Sequence, residues 1–338
     1  MNFFNNQKTT DIDININMPW VEKYRPKNSV EILLEPFIKT KIEHILINKS
    51  IPNMIITGEP GTGKTSTILF LAKQLYNDIY NDNVIELNAS NDRGLLIINT
   101  IIYPFCKKKI NYTDLYPKHK LVILDEADSI TTKAQNLLSN IILEFKKNTR
   151  FVFICNDSNK IIESIQSKCM LIKYPRISSE NLFNKIYSIC MTEHINYTKD
   201  GILSLLFVSD NDIRQAINNL ECIYYTFNEL TEDTVYQLID KPKPYYISQL
   251  IISCYNNDFE NTINIVKYLY NKGYTPNDIL LTFMKYLFEN NNTNINEETK
   301  LRIYEIISLC YIRINAGLDT LLQLCGCIAK IFIYLQKN

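Results

Sequence analysis

Apolar residues in the first half of the chain fall in short runs of strand length, at 54–57, 84–88, 121–124 and 151–155. Longer stretches with helical spacing separate them. Strands alternating with helices predict a parallel α/β sheet, and runs apolar at nearly every position suit strands buried on both faces. Ahead of them, 18–27 (Met18-Pro19-Trp20-Val21-Glu22-Lys23-Tyr24-Arg25-Pro26-Lys27) reads as an extended, Pro-bounded entry. Beyond Arg176 the strands stop, and 178 to about 240 reads as short helices. Asp210-Asn211-Asp212 is placed to cap the one carrying Ile213-Arg214-Gln215-Ala216-Ile217. Lys241-Pro242-Lys243-Pro244 punctuates the chain, and 245–338 is helical in pattern, interrupted by a polar loop at 290–294. The expected divisions are a flexible tail at 1–17, an α/β domain at 18–175, a small helical domain at 176–240 and an all-α domain at 241–338.

The first apolar run feeds Gly58-Glu59-Pro60-Gly61-Thr62-Gly63-Lys64-Thr65, and Ser66-Thr67-Ile68-Leu69-Phe70-Leu71 continues as a predicted helix. Strand, Gly-assisted turn and helix start in that order make a phosphate loop. Backbone N–H groups and a helix N-terminus face the phosphates, Lys64 reaches the β- and γ-phosphates, and the Thr65 hydroxyl sits on Mg²⁺. The third run ends in Asp125-Glu126-Ala127-Asp128. Carboxylates at the C-terminal end of a parallel strand stand where open α/β sheets bind ligands. Asp125 is placed to hold Mg²⁺ through water and Glu126 to orient the attacking water. Together the two motifs predict nucleoside triphosphate hydrolysis.

Composition narrows the rest. Lys plus Arg and Asp plus Glu each number 36 in 338 residues, so no global positive charge marks a nucleic-acid binder. Any DNA contact has to be local or shared. Nine Cys occur without metal-ligand spacing, and Cys325-Gly326-Cys327 lies in an apolar helical stretch, which favours packing and a reducing compartment. The three His (His44, His119, His194) are scattered. No apolar run is long enough to span a bilayer, and the first residues lack the pattern of a secretory signal.

Several longer motifs resemble one family: 20–26 (Trp-Val-Glu-Lys-Tyr-Arg-Pro), 86–94 (Glu-Leu-Asn-Ala-Ser-Asn-Asp-Arg-Gly), 124–129 (Leu-Asp-Glu-Ala-Asp-Ser) and 214–220 (Arg-Gln-Ala-Ile-Asn-Asn-Leu). Over residues 19–331 the chain is similar to the small subunits of replication factor C, the sliding-clamp loader among AAA+ ATPases. The Asn-Asp-Arg-Gly form and 272–279 (Lys-Gly-Tyr-Thr-Pro-Asn-Asp-Ile) point within it to the type numbered 2 in humans and 4 in budding yeast. The resemblance implies a AAA+ module, a helical lid and a helical collar for assembly. It implies ATP and Mg²⁺ as ligands, other replication factor C subunits, the clamp PCNA and primer–template DNA as partners, and a nuclear location. By it, Val21, Tyr24, Arg25 and Pro26 pack around the adenine. Asn156 is the polar sensor that contacts the γ-phosphate or the attacking water, and Arg214 is a second sensor on the lid.

The chain also departs from that pattern. Ser167-Lys168-Cys169 stands where the family carries Ser-Arg-Cys, whose Arg acts on a neighbour's site, and Lys lacks the planar fork. Gln135-Asn136-Leu137-Leu138-Ser139-Asn140 lacks the Arg-Arg pair the family carries on this helix, and 95–103 is more apolar than its counterpart, leaving Arg93, Lys107, Lys108 and Lys109 as candidate DNA contacts. Ile303, Ile306, Ile307, Leu309, Leu318, Leu321, Leu322 and Leu324 have helical spacing that suits either a private core or a partner face. Two other readings stay open: ATP as structural glue with negligible turnover, and a different AAA+ DNA remodeller. A DEAD-box helicase is excluded by the lack of a second α/β core.

Overall fold

The computed structural model describes residues 18–26, 35–89, 95–108, 116–289 and 296–337. The expected tail at 1–17, and Arg93 and Lys109 among the DNA candidates, lie outside them. The chain forms two compact units, Met1–Asn228 and Glu229–Asn338. Their boundary precedes the Pro-punctuated segment at 241–244.

The first unit holds a parallel sheet of five strands: β1 (Met54–Gly58), β2 (Val84–Asn88), β3 (Lys120–Asp125), β4 (Thr149–Cys155) and β5 (Met170–Tyr174), in the order β2-β3-β4-β1-β5. Alternate residues of the central strands face opposite layers. Met54, Ile56, Ile123, Val152 and Ile154 pack with Ile38 and Ile42 of helix Pro36–Asn48 and with Ile68 and Leu71 of helix Lys64–Tyr76. Ile55, Val122, Leu124, Phe151 and Phe153 pack with Ile98 and Ile102 and with Leu138 and Ile141 of helix Thr132–Glu144. Each fully buried side chain of this size contributes about 1.5–3 kcal/mol, so the doubly covered sheet is a rigid platform for its strand ends.

The fifth strand lies outside the four apolar runs. It is a sheet edge, where Met170, Leu171 and Lys173 are exposed, so its sequence carries no continuous apolar signal. The entry at 18–27 is corrected as well. Trp20–Lys23 forms one helical turn, because the Trp20 indole buries itself against Tyr224 with ring centroids 5.1 Å apart. The apolar stretch at 95–107 is helical with a widened π turn at Ile98–Ile102. Pro104 explains the widening: it has no N–H to give the preceding turn, and Tyr103 N–H reaches back to Ile98 O instead.

Two buried polar side chains stitch this unit together. Lys120 Nζ donates to Phe105 O at 2.7 Å and Lys108 O at 2.5 Å, closing the last carbonyls of the π-bulged helix. His119 Nε2 accepts from Ile51 N–H at 3.2 Å, and burial pushes its pKa from 6.5 down to about 4. A histidine depressed in the fold and ordinary in the unfolded chain contributes stability that is complete above pH 6.5 and falls away toward pH 4. The loss at the acid end is about 3 kcal/mol. Urea melts at pH 7 and pH 4.5 test this: His119→Gln narrows the difference between the two midpoints.

Past β5 come helices Ser179–Thr192, Lys199–Val208 and Ile213–Phe227, the outer two of 14 and 15 residues and longer than the pattern suggested. Of the Asp210-Asn211-Asp212 trio, Asp212 is the cap: Oδ1 accepts from Arg214 N–H at 2.8 Å, while Asp210 and Asn211 turn the chain at positive φ.

The second unit opens on a two-residue strand, Glu229–Leu230, so strands do not stop entirely beyond Arg176. The rest is helical, with Glu232–Leu238, Pro244–Tyr255, Phe259–Asn271, Pro276–Glu289, Glu297–Asn315 and Leu321–Lys337, and its core includes Phe283, Leu287 and Ile328. Ile303, Ile307 and Leu324 belong to that core, and Ile306 and Leu321 pack on its margin. Leu309, Leu318 and Leu322 remain exposed, Leu322 at 79%. The amphipathic set thus divides between a private core and a bare face.

Candidate nucleotide-binding site

The C-terminal ends of β1, β3 and β4 converge on one cleft of about 300 Å³. Gly58 ends β1 where a Cβ would lie 2.5 Å from Tyr174 O, so the turn into the loop has no room for a side chain. Gly61 and Gly63 follow at φ +73° and +83°, a left-handed region that other residues enter at a cost. Thr62 Oγ1 closes the turn on Glu59 O at 2.9 Å, and helix Lys64–Tyr76 begins immediately. This arrangement aims a run of backbone N–H groups and a helix N-terminus into the cleft, a ready site for an anion.

Lys64 sits inside this turn, 8% exposed. Its ammonium donates to Gly58 O and Glu59 O at 2.7 Å each and to Asn156 Oδ1 at 3.0 Å. Burial lowers its pKa, the charge of Arg214 adds to that effect, and Asp125 opposes it. Thr65 Oγ1 donates to Asp125 Oδ2 at 2.9 Å, while Asp125 Oδ1 accepts the backbone N–H of Glu126 at 2.8 Å. Glu126 itself turns off the strand at φ +51°, exposed in the cleft. Asn156 follows β4, and its carbonyl takes the Thr57 hydroxyl at 3.0 Å, fixing the two strand ends to each other.

The opposite wall comes from chain segments far away in sequence. Val21, Tyr24, Arg25 and Pro26 line it, with Arg25 Nε 3.4 Å from Ser66 Oγ. Arg214, on the first turn of helix Ile213–Phe227, lines it too. Sequence reasoning missed Glu22, Ile177, Lys185, Ile213 and Ile217, which complete this side. The spacing of Ile213 and Ile217 marks one helix face, whereas Lys185 carries no motif. Asp212 also approaches the phosphate loop: a Cβ on Gly61 would meet its Oδ1 at 2.1 Å. Arg176, just after β5, pairs with Glu59 of the loop.

Three expected residues lie elsewhere. Lys107 and Lys108 are exposed at the end of the π-bulged helix and do not line the cleft. Lys168 turns onto its own chain, donating to Ser139 Oγ at 2.5 Å. Gln135 is buried, its amide bonded to Ile130 O and Lys160 O at 3.0 Å and its Oε1 to Ile162 N–H at 2.8 Å. It holds the loop after Asn156 in place.

A divalent cation has a fitting pair of donors. The Thr65 hydroxyl and the Asp125 carboxylate are hard oxygen ligands brought together at one point, as Mg²⁺ requires. Among the described residues no group of three or more His, Cys, Asp or Glu forms a metal cage.

A five-stranded parallel sheet with a phosphate loop after β1, an Asp-Glu pair after β3, a polar residue after β4 and an Arg-bearing helix across the cleft defines a P-loop ATPase module of the AAA type. The model of the ATPase family associated with various cellular activities matches residues 54–175, and that of the replication factor C C-terminal domain matches 242–330. Replication factor C subunit 2 of Arabidopsis thaliana is 37% identical, over 94% of each chain. Replication factor C subunit 4 of Saccharomyces cerevisiae is 37% identical, over 94% of this chain and 97% of its own. The replication factor C small subunit of Methanococcus maripaludis is 33% identical, over 93% and 98%. A point variant of Thermotoga maritima RuvB superposes with a TM-score of 0.52 at 14% identity, covering 68% of this chain and 79% of that one, a likeness of fold alone. The chain belongs to the replication factor C small-subunit family.

Proposed function

We propose that this chain is an ATP-binding and ATP-hydrolysing subunit of a heteropentameric replication factor C, acting in the nucleus to open the sliding clamp PCNA and place it on primer–template DNA. The observation that carries the ATPase reading is the meeting of three strand ends in one cleft. Lys64 lies 3.0 Å from Asn156 Oδ1, and Thr65 lies 2.9 Å from Asp125 Oδ2, with Glu126 beside them.

In this reading the loop N–H groups of 58–65 and the Lys64 ammonium hold the β- and γ-phosphates. Val21, Tyr24 and Pro26 pack on the adenine with Ile177, Ile213 and Ile217. Arg25 sits at the edge of the phosphate-loop helix. Mg²⁺, held by Thr65 and Asp125, would neutralise phosphate charge. Glu126 orients and polarises the attacking water, and Asn156 and Arg214 register the γ-phosphate from the core and the lid. Phosphoryl transfer asks the protein mainly for such positioning and electrostatics. Loss of the γ-phosphate removes the anion that Lys64, Asn156 and Arg214 share, and an order change of that kind is how nucleotide state reaches neighbouring subunits.

The collar assignment draws on Leu309, Leu318 and Leu322, which are exposed on the second unit although apolar. Exposed apolar faces of this kind mark protein interfaces. The expected result on a sizing column is a heteropentamer when the chain is co-expressed with the other replication factor C subunits. A closed ring of this chain alone would favour a self-assembling motor instead. DNA contact through Arg93 and Lys107 to Lys109 belongs to the same reading, and a short row of Lys supplies only a modest, salt-sensitive share.

A further inference from the structure

The base end of the cleft is tied to the lid rather than to the sheet. Trp20 N–H donates to Glu221 Oε2 at 3.0 Å, and its ring lies on Tyr224. Lys23 Nζ donates to Glu193 Oε1 at 2.6 Å, and the Tyr24 hydroxyl donates to the same oxygen. Glu221 lies on helix Ile213–Phe227, which also carries Arg214, and Glu193 ends helix Ser179–Thr192, which also carries Lys185. Glu193 itself does not line the cleft. It reaches the cleft through Tyr24, the one of its two donors that lines it.

The Glu193 side chain is 15% exposed, so most of it is withdrawn from the surface. Burial alone would raise its pKa, but the hydrogen bonds from Lys23 and Tyr24 outweigh that effect and keep it low. A carboxylate held by two donors fixes both of them in place, because removing it leaves their polar groups without a partner. Tyr24 lines the cleft, so the groups that fix Tyr24 also set the position of this wall.

We infer that Glu193 is a positioning residue for the base end of the nucleotide cleft, making segment 20–24 a part of the lid so that the wall moves with the lid helices. The phosphate end is built mainly from the ends of β1, β3 and β4, with Arg214 the one group it takes from helix Ile213–Phe227. The two ends of one nucleotide therefore rest on different layers of the first unit, and a ligand spanning both draws the lid helices toward the sheet. A ligand with phosphates alone has no hold on the wall that Glu193 positions.

This inference rests on the ATP reading of the site, and its test separates the two. Equilibrium binding of Mg²⁺-ATP and of Mg²⁺-tripolyphosphate, which has no base, is measured on the full chain. The expected result for Glu193→Ala is ATP binding weakened about tenfold, with tripolyphosphate binding unchanged. Glu193→Gln falls between, since its amide oxygen still accepts from Tyr24 but has no charge for Lys23. Tyr24→Phe, which deletes only a hydroxyl, shows the same split between ligands and guards against a Glu193→Ala chain that does not fold. Tyr24→Phe adds little on top of Glu193→Ala, because both remove one interaction. Equal weakening of both ligands would make Glu193 a general prop of the lid and overturn the inference, as would no weakening of either. A wild-type chain that binds neither ligand would instead overturn the ATP reading, and the inference with it.

Discussion

Glu126→Gln lowers the ATP turnover of this site by at least about 100-fold while ATP binding stays within a few-fold of wild type. The geometry separates the two quantities. Glu126 stands one residue past Asp125 and turns away at φ +51°, so its side chain is exposed in the cleft rather than folded into the loop. The loop's own contacts use Lys64, Thr65, Asp125 and Asn156, and none of the bonds among them uses the Glu126 carboxylate. Gln keeps size and shape but has no negative charge to polarise water. Retained binding with lost turnover marks a group that acts on the reaction. Equal loss of both would make Glu126 part of the binding wall.

Lys64→Ala weakens Mg²⁺-ATP by about 100-fold, read by titrating a fluorescent ATP analogue into the full chain. The ammonium is the main positive charge inside the phosphate loop, and burial at 8% exposure means that water screens it little. A charge-assisted bond to phosphate is worth about 1.5–3 kcal/mol, and the net loss of about one such bond gives the 100-fold scale. Lys64→Arg does not restore binding, because the planar guanidinium cannot occupy the pocket where Gly58 O, Glu59 O and Asn156 Oδ1 close around a compact ammonium. Full binding by Lys64→Arg would mean that only charge matters at this point.

What could be read from the chain was what is local. Gly58 to Thr65 is a contiguous loop whose turn, donors and cation lie within eight positions, so its chemistry needed no tertiary information. Asp125 and Glu126 were legible because an apolar strand delivers them to a sheet end. β5 was not, because an edge strand is half-wetted and mixes Met170 and Lys173 with Ile172. The turn at Trp20 and the role of Glu193 were invisible for another reason. Glu193 meets Lys23 across 170 residues, and Glu221 meets Trp20 across 201, with no periodicity to announce either contact. Lys168 shows the converse: its identity was evident, but its bond to Ser139 depends on how the helix at Thr132–Glu144 packs. Among the apolar collar residues, the same spacing gave buried Ile307 and exposed Leu322, a division that only packing decides.

The central claim is that this chain contributes a working ATPase site to a clamp loader. The most direct measurement is steady-state ATP hydrolysis by the reconstituted replication factor C complex, with and without PCNA and primed DNA, comparing wild type with Glu126→Gln in this chain alone. The account predicts that the clamp- and DNA-stimulated rate falls to a small fraction of wild type while the complex still assembles and binds ATP. An unchanged stimulated rate would contradict it, leaving ATP at this site as structural glue and Glu126 without a role in the chemistry.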